Sequence, residues 1–268
     1  MLDTFNFASP QSANYQEFFG GNTTRDWIKP RGASMVRFML IGAGGGGGIG
    51  SSAQGSGGGG SGAVTSWIGP AIFIPDSLRI GVGKGGVSSV DGSESLIYYQ
   101  AKNGAGYELL RANGGGSGTT GITAGLGGAA STNNFFGASG IFTSIAGQDG
   151  AAGSATGAGT PIGASSTTFL SGGAGGAGAA ASTGGAVATN YVYTALPSTT
   201  AGGTVAGKDG YFITQPILLG LGGAGGTTST TVGTAGGRGG IGCGGGGSGE
   251  DATTSAQGGD GAVFIWAW

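Results

Sequence analysis

Glycine returns at every third position in short bursts, and this spacing narrows what the chain can fold into. Gly172, Gly175 and Gly178 are three apart, as are Gly236, Gly239 and Gly242. The pairs Gly222/Gly225 and Gly223/Gly226 repeat the interval in two registers. Polyproline II backbone has three residues per turn and rises about 3.1 Å per residue. Glycine at every third position therefore leaves a bare stripe along such a helix. Two bare stripes approach closely enough for N–H···O=C bonds, supported by weaker Cα–H···O contacts. This polyglycine II arrangement satisfies the backbone without side-chain packing. With 70 glycines among 268 residues, little else is available to repay the entropy of folding. Collagen is excluded, because its glycine period is strict and its proline abundant, whereas here there are 7 prolines and the period breaks repeatedly. Flexible Gly/Ser linkers are the other reading of the bursts. The Leu, Ile, Phe and Tyr residues set between them favour ordered helices.

The rest of the composition removes whole classes of chemistry. The absence of histidine excludes Ser-His-Asp and Cys-His catalysis and any histidine-ligated metal. A single cysteine, Cys243, excludes an intrachain disulfide framework and reads as a small buried residue. Ten basic residues against twelve acidic ones give a net charge of −2, which argues against a phosphate-binding face and hence against nucleic acid as a partner. G-x-G-x-x-G occurs several times, as chance alone gives at this glycine frequency. Gly202–Asp209 reads GGTVAGKD, which departs from a phosphate loop where Asp209 replaces the magnesium-binding hydroxyl. Asp91-Gly92-Ser93-Glu94 and Glu250-Asp251 are the densest acidic clusters, match no calcium loop and read as solvated turns. The expectation is a protein that is not an enzyme, with no cofactor and no metal. No stretch of about 20 apolar residues is present, so no membrane insertion is expected, and Met1–Phe19 does not read as a secretory signal.

Strand signals frame the glycine. Met35–Ile41 alternates Val36, Phe38 and Leu40 against Met35, Arg37 and Met39. Ala71–Val82 reads as two short strands broken at Pro75-Asp76, and Ser95–Ala101 with Tyr107–Ala112 as a hairpin around Asn103-Gly104. Ala262–Trp268 is a last strand with Phe264, Trp266 and Trp268 on one face. No stretch of ten residues shows helical amphipathicity. The expected fold is all-β with a glycine-rich irregular body: short β-strands at both ends, a layered bundle of polyglycine II helices, and little or no α-helix. Residues 1–21 form an aromatic-rich N-terminal segment and 22–268 a glycine-rich domain. Within that domain 33–113 and 262–268 are the β-strand part and 114–261 the polyglycine II-like part. Two readings of the leader stand side by side. Phe5, Phe7, Tyr15, Phe18 and Phe19 either belong to an edge strand packed on the body or bury themselves on a partner as an attachment arm.

Trp27-Ile28-Lys29-Pro30-Arg31-Gly32 runs into the strand Met35–Ile41 and then Gly42-Ala43-Gly44 and a glycine run. Ile80-Gly81-Val82-Gly83-Lys84-Gly85-Gly86, Leu110-Arg111-Ala112-Asn113-Gly114-Gly115 and Gly258-Gly259-Asp260-Gly261-Ala262-Val263-Phe264-Ile265 follow in order. Over roughly residues 22–268 this ordered set resembles the glycine-rich domain of bacteriophage tail fibre and other virion proteins, including the polyglycine-sandwich adhesins. The resemblance implies a bacteriophage virion surface protein, made in the host cytoplasm, without chemistry of its own. As a tail fibre or adhesin component it would bind a host cell-surface receptor. Alternatively it is a structural virion protein, such as a capsid decoration, head fibre or tail component, held to other virion proteins through its N-terminal arm. By analogy with the adhesins, the recognition loops would carry Asn133, Asn134, Phe135, Phe136, Tyr191, Tyr193, Tyr211 and Phe212, since Tyr and Asn give contact area and hydrogen bonds at low entropic cost. The same residues could instead cap the helix layers as small cores. Phage fibres are often trimeric, which makes a homotrimer the oligomer to test.

Overall fold

A computed structural model describes residues 14–100, 104, 106–132, 139–163, 169–178, 182–188, 206–213, 219–228 and 232–268. Phe5, Phe7, Asn133, Asn134, Phe135, Phe136, Tyr191 and Tyr193 lie outside these residues.

The elements in chain order are β1 (Asn14–Phe18), β2 (Thr23–Ile28), β3 (Met35–Ile41), β4 (Val64–Pro70), a 3-10 turn (Ala71–Phe73), β5 (Ser77–Val82), β6 (Ser95–Gln100), β7 (Gly106–Ala112), β8 (Ile141–Ile145), β9 (Phe212–Ile213), β10 (Leu219–Gly220) and β11 (Ala262–Ala267). The fold is all-β, with antiparallel sheets and one short 3-10 turn among the described residues. One sheet has the order β1-β11-β3-β4-β8, a second β2-β5-β6-β7, and β9 pairs with β10. The first half of Ala71–Val82 is the 3-10 turn rather than a strand. Ile72 and Phe73 point outward there, so no period-two burial forms.

The two large sheets face each other across one core. The predicted alternation of β3 places Val36, Phe38 and Leu40 in it, with Trp27 from β2, Trp67 from β4, Leu78 and Ile80 from β5, Leu110 from β7 and Ile265 from β11. Trp27 meets Phe38 edge-on at 5.7 Å, and Phe38 stacks on Trp67 at 5.9 Å. Such pairs contribute about 0.5–1.5 kcal/mol each beyond the area they bury. The opposite face of β3 and β11 carries a second, smaller core of Ile41, Val64, Leu170, Cys243 and Phe264, over which the glycine-rich body lies.

Beyond the sandwich the strands run on as three-fold helices, and their hydrogen bonds step in threes. Gly42, Gly45 and Gly48 donate to Ala63, Gly60 and Gly57; Ala43 and Gly46 donate to Ser93 and Val90; Gly44 and Gly47 donate to Gly259 and Ala256, all at 2.9–3.1 Å. The carbonyls rotate in the same way. Ala43 and Gly46 accept from Gly115 and Gly118, Gly44 and Gly47 from Gly86 and Ser89, and Gly45 and Gly48 from Gly245 and Ser248. Residues 42–48 thus bond six neighbouring segments. Segment 55–63 is likewise surrounded, donating to 148–154, 242–248 and 113–121 and accepting from 42–48, 125–128 and 173–176. This is polyglycine II packing, and it includes 42–48 and 55–63 as well as the bursts after residue 114.

Glycine serves this array by lacking a side chain. A Cβ on Gly44, Gly58, Gly175 or Gly223 would overlap the carbonyl of Cys243, Gly173, Ala152 or Gly237. Left-handed φ is confined to Gly20, Gly32, Gly104 and Gly242 among the described glycines, so the helices keep the left-handed twist of polyproline II.

The transition from sheet to bundle keeps register. Ile41 pairs with Val64 in the ladder, and the next bonds join Gly42 to Ala63 and Gly45 to Gly60 in the same alignment. The β4–β8 pairing of Val64 with Ile145 continues in Ser61–Gln148, Gly58–Ala151 and Gly55–Ser154. The scarce aspartates close leftover amides. Asp91 accepts from Ser117 N–H, Asp149 from Gly127, Asp209 from Arg238, and Asp260 from both Gly21 and Gly85.

Candidate functional surfaces

The aromatic leader, where described, is part of the sheet. β1 pairs along β11 from Asn14–Ala267 to Phe18–Val263. Phe18 is buried in the inter-sheet core. Tyr15 stacks on Trp266 at 5.2 Å and Phe19 meets Phe264 edge-on at 5.6 Å, both half covered. The Tyr15 hydroxyl donates to Glu17, and burial with that carboxylate raises the phenol above its usual range. Arg37 lies 5.1 Å over Trp266 and completes this aromatic ledge. For Tyr15, Phe18 and Phe19, the edge-strand reading describes their position.

Tyr211 and Phe212 do not stand out as loop tips. Phe212 lies in β9 against the second core, and Tyr211 packs on the cluster of Ala151, Ile162, Ala174, Val187 and Leu221. Their burial follows from the glycine helices around them, which offer few side chains and therefore collect apolar ones wherever a layer ends. Cys243 is fully buried, and desolvation pushes its thiol up to about 12. A thiol held in that form is a poor nucleophile.

Register places three other surfaces. At the sandwich end, where Asn14 enters β1, Ile28, Ile72, Phe73 and Ile141 are exposed at 72%, 84%, 54% and 70%. Lys29 pins this end, its ammonium donating to the Ile74 carbonyl and pairing with Asp76 at 2.9 Å. At the opposite end of the bundle lie the turns 51–54, 119–123 and 250–253. Asp251 N–H donates to Ser51, Gly57 N–H to Gly121 and Thr119 N–H to Thr123. Five of their exposed side chains are hydroxyls (Ser52, Thr119, Thr120, Thr123 and Thr253), with Ile122 exposed among them. Lastly, a shallow groove of about 440 Å³ lies on the outer face of the four-stranded sheet, lined by Thr24, Gly81, Leu96, Tyr98, Gly106 and Glu108 among others. Of these surfaces the sequence marks the acidic turn at Glu250-Asp251 and, at the rim of the groove, Ser93 and Glu94.

No group of three or more potential metal-ligating side chains occurs among the described residues, and no described helix is long and apolar enough to cross a membrane. No curated protein matches the chain. A family model described as a glycine-rich domain matches residues 20–268. The matched span holds both ends of the motif series, Trp27 to Ile265, together with the strands and three-fold helices between them. The chain belongs to this glycine-rich domain family.

Proposed function

We propose that this chain is a non-enzymatic surface protein of a bacteriophage particle, acting as a tail fibre or adhesin component that contacts a host cell-surface receptor. The observation carrying this reading is the polarity of the scaffold. A backbone-bonded bundle holds, at one end, turns whose exposed side chains are mainly hydroxyls. The sandwich, at the other, presents exposed apolar residues beside the point where the leader joins. A rigid spacer with a polar tip and an apolar base suits presentation of a contact surface away from a particle. The ordered motif series and membership in the glycine-rich family are compatible with it. Purified protein added before infection should reduce phage adsorption in proportion to its concentration. Undiminished adsorption at saturating protein removes the receptor-binding role.

The second reading is a structural virion protein, such as a capsid decoration, head fibre or tail component, attached through the N-terminal segment. Exposed Ile28, Ile72 and Phe73 at the end where residue 14 enters favour it. Antibody labelling of intact particles separates the two: marks on the heads alone support decoration, and marks on fibre tips support adhesion.

A further inference from the structure

Most described glycines are explained by either space or φ; the exceptions are Gly121, Gly157 and Gly163 outside the strands and, within the four-stranded sheet, Gly81 and Gly106. Gly81 in β5 and Gly106 in β7 have ordinary strand φ. A Cβ on Gly81 would come no closer than 3.8 Å to Leu96, and one on Gly106 no closer than 3.8 Å to the Tyr98 ring. Neither would overlap backbone, unlike the glycines of the bundle: the nearest backbone atom to the Gly81 position is the Leu96 carbonyl oxygen at 4.0 Å. Strand glycine costs stability, and where neither a bulge nor packing demands it, it marks a place where something approaches the backbone. Both glycines line the groove on the outer face of this sheet.

The surroundings are organised around that floor. A β-bulge between β6 and β7 shifts the pairing at Ile97/Tyr98, so that Tyr98 stands opposite Glu108 while Leu109 turns into the core. Bulges re-aim side chains in this way beside binding sites. Arg111 braces two carboxylates: its Nε donates to Glu108 at 3.0 Å, and its Nη1 reaches Glu94 at 3.4 Å. Each acid keeps acceptor positions open. Arg79 lies 5.7 Å from the Tyr98 ring centroid and fixes its orientation, while Thr24 supplies a hydroxyl and Leu96 an apolar wall.

We propose that this groove is a saccharide-binding site taking a neutral, polyhydroxylated chain laid across Gly81 and Gly106. Sugar hydroxyls find fixed acceptors in Glu94 and Glu108 and a hydroxyl partner in Thr24. The apolar faces of the rings rest against Tyr98 and Leu96. No cationic side chain lines the groove itself, and Arg111 behind it neutralises only one of its two carboxylates, so anionic sugars, phosphates and carboxylates meet a net negative lining. The volume lies within the roughly 300–1,000 Å³ of small-ligand pockets and admits a short oligosaccharide. The assignment is independent of the attachment reading above, since it requires only a soluble ligand and the isolated chain.

The test uses the full chain on an array of neutral and anionic oligosaccharides, with hits measured by calorimetry. Wild type should bind at least one neutral oligosaccharide. Gly81→Val, which gives β5 a strand-favouring residue in ordinary contact with Leu96, should keep its melting temperature and weaken binding at least tenfold. Gly106→Val makes the same test from another strand should the first variant fail to fold. Absence of any neutral hit, a preference for anionic sugars, or wild-type affinity in a folded glycine-to-valine variant overturns the proposal.

Discussion

Gly175 and Gly81 show how differently one residue type can be used. A Cβ at Gly175 would collide with the Ala152 carbonyl, whereas one at Gly81 meets only Leu96 at 3.8 Å. The bundle cannot open at Gly175, because its backbone donates to Thr160 and accepts from Gly185. Gly175→Val should therefore destabilise the protein by about 3 kcal/mol or more, as severe overpacking does. Reduced soluble yield and a lowered urea midpoint would record it, and wild-type melting would place Gly175 outside a packed helix. Asp260 is the matching test among polar residues. Its carboxylate accepts from Gly85 at 2.8 Å and Gly21 at 3.1 Å. Asp260→Ala strips two amides of their acceptor and should cost about 1–3 kcal/mol in urea denaturation. An unchanged midpoint would mean that water replaces the carboxylate fully.

β1 changes the meaning of the aromatic leader. A truncation after residue 13 leaves β11 paired on both sides, whereas one after residue 19 uncovers Trp266, Phe264 and the core position filled by Phe18. The shorter deletion serves as the reference. The longer one should lose at least the roughly 1.5–3 kcal/mol of one buried aromatic side chain and expose Trp266 to fluorescence quenchers. Equal melting of the two would show that β1 contributes nothing. What the sequence reveals about elements follows from their patterning. β3 is legible because Val36, Phe38 and Leu40 recur at every second position, and β11 because its six residues form an unbroken apolar run. β2 is not, because Thr23–Ile28 sends only Trp27 fully inward, and β9 and β10 are two residues long, too short for any period. The triplet bursts after residue 114 disclose the three-fold helices. The solid runs Gly44–Gly48 and Gly57–Gly60 carry no phase to read, although they lie at the centre of the same network. The groove as a whole was invisible for another reason: it gathers residues from four strands around two side chains that are missing.

Across the whole molecule, stability is distributed unlike that of an ordinary sandwich. Segment 55–63 is buried throughout, and each of its amides donates to another segment at 2.8–3.1 Å. Individual hydrogen bonds add only about 1 kcal/mol net, but nine consecutive ones directed to three neighbours open only together. Hydrogen exchange followed by mass spectrometry should find peptides from 55–63 exchanging as slowly as the β3 core, at the rate of global unfolding. Faster exchange there than in β3 would mean the bundle opens independently of the sandwich. The unbroken register from ladder to bundle has a further consequence. Successive amides of a three-fold helix face directions a third of a turn apart, so one added residue sends every later donor to the wrong neighbour, while three added residues restore the order and lengthen the helix by about 9 Å. The spacer between base and tip can therefore grow or shrink only in whole turns, matched in adjoining segments. Its reach is quantised, and the turns that cap it are left to vary one residue at a time.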